Sequence, residues 1–327
     1  MKFTEKDSVK GLLKTFLSYK DLQGNTGFDY LQSKGYLYTD KFQEADVFIA
    51  INGKILPQFI LERTILIVTE PYTRYARMYT KEYKGLFGGF LGISKVNASS
   101  EEFYLVPQNF ASILEPNPAP EFTLAMIHQR YKKQYRDLMG DREREKAVAF
   151  FDRVLGDNFH TYARVWQKTL PWDNVGWKGT IKGSIMGTQK IEVIRNYRFL
   201  LCFENSRDDG YVTEKIFSAL FAGVVPIYFG ACDVSNYIPQ DCFIEFDGQD
   251  YEFLYEKMIH MSPSEYEAMR ERGRAFLTSK RSEAFTSPFL AKQLEIYFEQ
   301  LKAVSTPLFS PQEVVRKLKF LLSKLPA

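Results

Sequence analysis

Cysteines and histidines are scarce in this chain, and their spacing excludes several kinds of site. The three cysteines, Cys202, Cys232 and Cys242, form no CxxC pair. We therefore expect a reducing compartment, without a disulfide framework or a zinc site. The three histidines are too scattered to form a metal cluster, and we interpret each as an ordinary surface or core residue: His128, His160 and His260.

Long apolar runs and strong net charge are also missing. No segment approaches the roughly 20 apolar residues that a membrane-spanning helix needs. The amino-terminal stretch MKFTEKDSVKGLLKTFLSYK carries charges throughout, so we expect neither a signal peptide nor a membrane anchor there. The net charge of +3 is too mild to indicate a nucleic-acid partner. These absences predict a cytoplasmic protein, soluble or peripheral to a membrane.

The chain does contain alternating strand and helix patterns. Its 327 residues are many for one hydrophobic core, so we expect two domains. In the first half, DVFIAIN and TILIVTEPY read as buried strands. Pro71 cannot continue a central ladder, so the second strand is predicted to end with Glu70 at its tip. Two strands separated by a short helix suggest a Rossmann-like unit.

The middle of the chain supplies a boundary and a helix. The proline-rich LEPNPAPEF (114–122) is a candidate boundary loop. After it, FTLAMIH is a short apolar run, and GDREREKAVAFFDRVLG predicts a helix with Asp141 as its N-cap and Gly156 as its stop.

The second half contains the clearest unit, a strand, a helix and a second strand. RFLLCF and VVPIYFG are the predicted strands, and YVTEKIFSALFAG between them is a helix ending on Gly223. FENSRDDGYVTEK stands at the junction of the first strand and the helix, where ligands of such sheets bind. The unpaired N–H groups of a helix N-terminus favour phosphate oxygens there.

The residue types at this junction suit a nucleoside diphosphate. Lys215 is interpreted as a mobile cation for the diphosphate, and Tyr211 can stack and hydrogen-bond. Glu214 suits a pair of ribose hydroxyls, and Asn205 can donate to phosphate or sugar. The alternative is that the acidic residues only complement the helix dipole while Asn205 caps a turn.

The stretch YRFLLCFENSRDDGYVTEKIFSALFAGVVPIYFG closely resembles the signature of the alpha-1,3/1,4-fucosyltransferases, glycosyltransferase family 10. The likeness extends upstream through WKG (177–179) and KIEVIRNYRF, and downstream through IPQDCFIEFDG. It covers roughly residues 177–249 well and the amino-terminal half weakly.

This resemblance implies an α/β protein of GT-B type, with two Rossmann-like domains facing a cleft. We assign residues 1–118 to an acceptor-binding domain, 119–300 to a GDP-sugar-binding domain and 301–327 to a helical tail.

The resemblance implies donor-binding roles for a set of six residues: Arg144, Lys178, Asn205, Tyr211, Glu214 and Lys215. For the diphosphate arginine, Arg144 is preferred over Arg142, although the spacing in DREREK departs from the family pattern. The Ser-Asn pair often found before that arginine is replaced by IHQRYKK.

The resemblance further implies inverting transfer of fucose from the donor substrate GDP-fucose, which needs a base but no cofactor. Glu70 in LIVTEPY occupies the place of the family's glutamate base. Its alternative role is a loop carboxylate that caps a turn or pairs with Arg74 or Arg77. No metal is required, because the adjacent acidic residues of RDDG point in different directions.

The carboxy-terminal PQEVVRKLKFLLSKLPA has an apolar stripe and basic residues, which leave two alternatives open. It packs on the first domain, which we favour, or it contacts an anionic membrane.

Three hypotheses follow for the whole chain. The first is an alpha-1,3-fucosyltransferase acting on a glycan that contains GlcNAc or galactose, such as a protein-linked glycan or lipopolysaccharide. The second is an enzyme of the same fold with another nucleotide sugar, and the third is a non-catalytic nucleotide- or glycan-binding module. A donor panel separates the first two, and turnover separates both from the third. The regiochemistry and the acceptor stay open.

Overall fold

Two five-stranded parallel sheets organise the computed structural model, which describes residues 15–18, 28–41, 44–53, 60–128, 140–163, 182, 185 and 188–301. The first sheet has the strands β1 (Thr15–Ser18), β2 (Leu37–Tyr38), β3 (Val47–Ile51), β4 (Thr64–Val68) and β5 (Gly89–Gly92), in the order β2-β1-β3-β4-β5. The second has β6 (Phe122–Ile127), β7 (Phe159–Tyr162), β8 (Tyr197–Phe203), β9 (Val225–Phe229) and β10 (Ile244–Glu245), in the order β10-β9-β8-β6-β7. The predicted division between residues 118 and 119 falls in the segment that joins the sheets.

Helices cover both faces of these sheets, as parallel sheets require. Those that precede the second sheet are α1 (Phe28–Ser33), α2 (Tyr72–Tyr75) and α3 (Lys81–Lys84). The later ones are α4 (Asp141–Leu155), α5 (Thr188–Ile194), α6 (Glu214–Phe221), α7 (Tyr251–Ile259), α8 (Pro263–Leu277) and α9 (Ser287–Leu301). All pairs of neighbouring strands run parallel, and β3, β4 and β9 are buried along their whole length. The predicted Rossmann-like organisation of both halves is therefore confirmed.

The cores follow the alternation of side chains along the strands. In the first sheet, Ile49 of β3 packs on one face with Leu31 of α1, and Phe48 packs on the other with Tyr83 of α3. In the second sheet one face packs against α5 and α6, and the other against α4 and α7. Each sheet is thus the middle layer of its own domain.

Helix α9 returns to the first sheet, although the predicted boundaries assign it to the second domain. Leu294 and Phe298 are buried in the core that contains β3 and β4. Tyr297 donates from its hydroxyl to the Phe90 carbonyl over 2.7 Å. A Cβ on Gly89 would lie 2.5 Å from Tyr297 Cδ1, so glycine permits this close approach. The predicted carboxy-terminal helix, at 311–327, lies outside the described residues.

Several element boundaries differ from the prediction. Strand β4 ends at Val68 and not at Glu70. The neighbouring strand β3 ends at Ile51, and the next residue, Asn52, has a left-handed backbone with φ of 49°. Thr69 therefore pairs with the Asn52 side chain and not with the backbone of another strand. Asp141 is the first residue of α4, and Gly140 with φ of 66° takes the N-cap position. The predicted stop at Gly156 is confirmed.

The second-half helix also begins later than predicted. Helix α6 begins at Glu214, three residues after Tyr211, because Gly210 has φ of 80° and Thr213 is extended. The helix end predicted at Gly223 is confirmed, because α6 stops two residues before it and Gly223 takes the left-handed conformation with φ of 64°.

Candidate active site

The polar stretch after β8 lies at the carboxyl edge of the second sheet, where its loop leads into α6. Glu204, the first residue after β8, is 1% exposed. Its carboxylate accepts hydrogen bonds from the backbone N–H of Thr213 at 2.7 Å and from the Thr213 hydroxyl. It therefore ties the beginning of the loop to its end and sets the direction in which α6 leaves the strand.

Lys215 is the second partner of Glu204, and it is held in place rather than mobile as expected. Its Nζ lies 2.9 Å from Glu204 Oε2 and 3.0 Å from Thr213 Oγ1. Burial lowers the pKa of Lys215, but the carboxylates of Glu204 and Glu214 outweigh it and raise that pKa above its ordinary value. The side chain is 15% exposed, so the site keeps a fixed positive charge near its surface.

Arg144 brings a second cation to the same strand edge. Its Nη2 donates to the Asn205 side-chain oxygen at 2.8 Å and to the Phe203 carbonyl at 2.7 Å. The guanidinium is fully buried, whereas Arg142 is exposed on the same helix. The structure thus joins Arg144, and not Arg142, to the predicted Asn205.

His128 is a site residue that the sequence interpretation missed. It follows β6 and its Nε2 lies 3.0 Å from Arg144 Nη1. Burial, followed by the charges of Arg144 and Lys215, holds the pKa of His128 well below its ordinary value. The neutral ring can therefore accept a hydrogen bond from Arg144. The missing Ser-Asn pair was the available signal, because His128 stands in the segment that replaces it.

Tyr211 is buried rather than available for stacking from solvent. Its hydroxyl accepts from Asn205 Nδ2 at 3.2 Å, and its side chain is 3% exposed. It packs in the first-domain core with Ile93 and Tyr104. Tyr211 therefore joins the polar cluster of the second domain to the apolar core of the first.

Glu214, in contrast, reaches the surface at the beginning of α6. Its side chain is 59% exposed and its Oε1 lies 3.5 Å from Lys215 Nζ. Partial desolvation by the protein packed around it raises the pKa of Glu214, but the charges of Lys215 and Lys190 outweigh this effect and hold the pKa at about 2. Its carboxylate is ionised at neutral pH and can accept hydrogen bonds from sugar hydroxyls.

The helix N-terminus and the charges together suit an anion. The Thr213 side chain stands in the N-cap position of α6 but donates to Glu204 and does not cap the helix. Lys190 of α5 adds a cation that acts on both Glu214 and Cys202. Three cations (Arg144, Lys190 and Lys215) against two carboxylates (Glu204 and Glu214) leave one net positive charge among these described side chains. Lys190, Glu204 and Thr213 were also missed, although two of them stand in the FENSRDDGYVTEK stretch.

Glu70 lies at the corresponding edge of the first sheet, two residues beyond β4. Its Oε1 forms an ion pair with Arg74 Nη1 at 2.8 Å, as the alternative interpretation allowed. The Glu70 side chain remains 25% exposed. This partial exposure is compatible with a role at the surface of a cleft.

The carboxyl edges of the two sheets meet through their loops. Asp208 in the second-domain loop accepts hydrogen bonds from Thr73 of α2, which lies three residues after Glu70. Lys95, after β5, donates from its backbone to the Asp209 carbonyl at 2.8 Å and forms an ion pair with Asp233 at 3.1 Å. The segments that carry Glu70 and the Arg144–Lys215 cluster therefore face the same junction between the domains.

Some predicted features do not enter this site or cannot be placed. Lys178 lies outside the described residues. His160 packs with Tyr197 inside the second domain, and His260 is exposed. Within the described ranges no group of three or more His, Cys, Asp or Glu side chains is arranged to hold a metal ion. None of the described helices is both long and apolar enough to cross a membrane.

Sequence comparison connects this site to one family. The sequence model of the glycosyltransferase family 10 (fucosyltransferase) C-terminal domain matches residues 148–268. An alpha-(1,4)-fucosyltransferase of Arabidopsis thaliana is 40% identical over 84 residues, which are 24% of this chain and 21% of the plant protein. An alpha-(1,3)-fucosyltransferase of Helicobacter pylori is 38% identical over 80 residues, 24% of this chain and 17% of the relative. The chain thus spans about a fifth of the length of the curated relatives it matches.

Structural comparison extends the likeness to both domains. A crystal structure of an alpha1,3-fucosyltransferase with GDP superimposes with a TM-score of 0.60 at 16% identity, covering 93% of this chain and 95% of that chain. At this identity the match establishes the fold, which is the GT-B arrangement of two parallel-sheet domains. The resemblance found in the sequence is confirmed: residues 148–268 match the C-terminal domain of glycosyltransferase family 10, and the chain has a GT-B fold.

Proposed function

We propose that this protein transfers L-fucose from GDP-fucose to a hydroxyl of a glycan that contains GlcNAc or galactose. The observation that carries the proposal is the cation cluster of Arg144 and Lys215 at the carboxyl edge of the second sheet, beside the segment of Glu70. The named activities of the relatives support the fucosyl donor. The acceptor class is part of the proposal and rests on the family resemblance.

The donor would lie along the loop between β8 and α6. Arg144 and Lys215 supply positive charge for the diphosphate, and the first N–H groups of α6 add hydrogen-bond donors. Glu214 is exposed and ionised, so it is suited to accept hydrogen bonds from ribose hydroxyls. Asn205 and Tyr211 orient this cluster through their mutual hydrogen bond.

The chemistry we propose is a single displacement with inversion. The Glu70 carboxylate takes the proton of the acceptor hydroxyl while that oxygen attacks C1 of fucose, and the bond from C1 to the GDP oxygen breaks. Negative charge then develops on the diphosphate, where the fixed cations stabilise it.

We propose that this step needs no resident metal and no further cofactor. Support comes from the RDDG stretch, where Asp208 already accepts hydrogen bonds from the first domain and the neighbouring Asp209 side chain is exposed. A cytoplasmic location is also part of the proposal. Peripheral membrane contact through the carboxy-terminal segment is the alternative to its packing on the first domain.

Glu70→Gln tests the assignment of the base. The amide keeps the shape of the side chain but cannot take a proton, so kcat for transfer should fall about 100- to 10,000-fold while GDP binding is retained. Transfer to a glycan array with GDP-fucose and calorimetry with GDP measure the two effects. Glu102→Gln is the matched control, because Glu102 is also ion-paired, to Lys84, and also 25% exposed.

The outcomes also separate the three functional hypotheses. Undiminished turnover in Glu70→Gln would remove Glu70 from the mechanism. Transfer from another nucleotide sugar but not from GDP-fucose would identify a different donor. GDP binding without turnover by the unaltered protein on any donor would favour a binding module.

A further inference from the structure

Asp208 connects the donor-binding loop to the segment that carries Glu70. Its Oδ2 accepts from the backbone N–H of Thr73 at 2.9 Å, and its Oδ1 accepts from the Thr73 hydroxyl. Oδ2 also accepts from the Ser94 hydroxyl at 3.3 Å. Both oxygens of one second-domain carboxylate are therefore used by residues of the first domain.

The contacted segment is short and obtains its capping interactions from elsewhere. Helix α2 begins after Pro71, whose side chain cannot accept a hydrogen bond from the first N–H groups. Ser94 Oγ accepts from the N–H of Tyr72 at 3.0 Å, and Asp208 accepts from the N–H of Thr73. The cap of α2 is thus supplied in part by the other domain.

The same turn holds the proposed base. Arg74, the next residue after Thr73, forms the 2.8 Å ion pair with Glu70. On the donor side, Ser206 and Asp208 belong to the loop that begins with Glu204 and Asn205, and Ser206 Oγ donates to Thr73 Oγ1 at 3.1 Å. Hydrogen bonds between the domains and covalently adjacent residues together connect the Arg144 cluster to the ion pair of Glu70.

We propose that Asp208 is a positioning residue for transfer, which sets the place of Glu70 relative to the donor through Thr73. This inference rests on the proposed function, because it assigns a role relative to Glu70 as the base. The carboxylate accepts from Thr73 at both of its oxygens. The amide nitrogen of an asparagine would replace one acceptor with a donor, so the Thr73 hydroxyl would have to reverse its hydrogen bond. Asp208 does not touch the reacting atoms.

The experiment is a double-mutant cycle of Asp208→Asn and Thr73→Val, with Asp209→Asn as the matched control. Asp209 is the adjacent residue and receives the same substitution. Its side chain is exposed, and it accepts the hydrogen bond from Lys95 with its backbone carbonyl. The kcat, the acceptor KM and the dissociation constant of GDP are measured for each variant. Hydrogen exchange of residues 71–76 and 214–221 reports the local structure independently of activity.

We expect Asp208→Asn to lower kcat about 10- to 100-fold, because small displacements of a catalytic group have effects of this size. Thr73→Val should lower it less, and the double variant should be no worse than Asp208→Asn, since the two residues act through one contact. GDP affinity should stay within about twofold, and exchange should rise in 71–76 but not in 214–221. Asp209→Asn should behave as the unaltered protein.

Three results would overturn the inference. An unchanged kcat in Asp208→Asn would do so while leaving the proposed function intact. An equal loss of GDP affinity and kcat would show that Asp208 acts on the donor loop alone. Additive effects of the two substitutions on kcat would mean that Asp208 does not act through Thr73. Failure of the proposed function has a different signature, since the unaltered protein would then show no transfer from GDP-fucose.

Discussion

Lys215 and Glu204 form an ion pair that contributes both to the stability of the fold and to the charge presented to a ligand. The Glu204 side chain is fully buried and the Lys215 side chain is 15% exposed. A carboxylate at this depth is stable only with its partners, because an uncompensated buried charge is costly. Removing the lysine therefore affects the fold as well as the charge presented to a ligand.

Lys215→Met should lower the free energy of unfolding by about 3 kcal/mol, because it leaves Glu204 without its cation. It should also weaken GDP binding about tenfold or more, through loss of a charge-assisted hydrogen bond. Urea unfolding and calorimetry measure the two effects. Adding Glu204→Gln should recover part of the stability without recovering GDP affinity.

A matched control is Lys84→Met, because Lys84 is also ion-paired and its side chain is 13% exposed. That variant should bind GDP normally. If Lys215→Met with Glu204→Gln regained full GDP affinity, Lys215 would serve folding alone.

Among the elements, α9 has a role that its position in the chain conceals. It follows the second domain but buries Leu290, Leu294 and Phe298 against the first sheet. Tyr30 and Gln293 add hydrogen bonds between α9 and the first domain. The first domain therefore completes its core only after the second domain has been made.

Leu294→Ala should lower the free energy of unfolding of the first domain by about 2–5 kcal/mol, since the side chain is fully buried and its removal leaves a cavity. Ile296→Ala is the control in the same helix, because Ile296 is 59% exposed. Denaturant unfolding curves, monitored by far-UV circular dichroism, compare the stabilities of the two variants. Equal destabilisation by the two substitutions would contradict the packing of α9 on the sheet.

At the scale of the whole molecule, buried histidines make stability depend on pH. His128 and His160 are buried, and burial is the first cause that lowers the pKa of each below its ordinary value. The unfolded chain binds protons at both residues near pH 6.5, whereas the folded protein binds them only at a lower pH. Because the unfolded state then holds more protons, stability decreases as the pH falls below about 6.5.

Between pH 6.5 and its folded pKa, each such histidine should destabilise the protein by up to about 1.4 kcal/mol per pH unit. That range is wider for His128, whose pKa is lowered further. His128→Gln should remove the contribution of His128 to this pH dependence. The side-chain oxygen of the glutamine can still accept a hydrogen bond from Arg144. His260→Gln, at an exposed position, should keep the full slope. Urea unfolding between pH 5 and 7.5 measures the slopes, and an unchanged slope in His128→Gln would show that His128 is not held neutral.

Local patterns were enough to predict strands β3, β4, β8 and β9, a Rossmann-like first half and the strand–helix–strand unit at residues 198–229, whereas the second Rossmann-like domain came from the family resemblance. An apolar run, or a glycine such as Gly223 at the end of a helix, depends only on residues that are close in the sequence. Such features can therefore be recognised without the tertiary structure. The placement of Asn205, Glu214 and Lys215 at one sheet edge follows from the same local unit. The family likeness added Arg144 and Glu70, which lie far from it in the chain.

The contacts between distant segments depended on how the two sheets pack. Nothing in the local pattern pairs Asp208 with Thr73, His128 with Arg144, or α9 with the first sheet. Each of these contacts joins residues whose spacing is set by intervening strands and loops, and a polar side chain has several acceptable partners until the backbone places one beside it. Their identity is therefore a property of the folded chain and not of any of its segments.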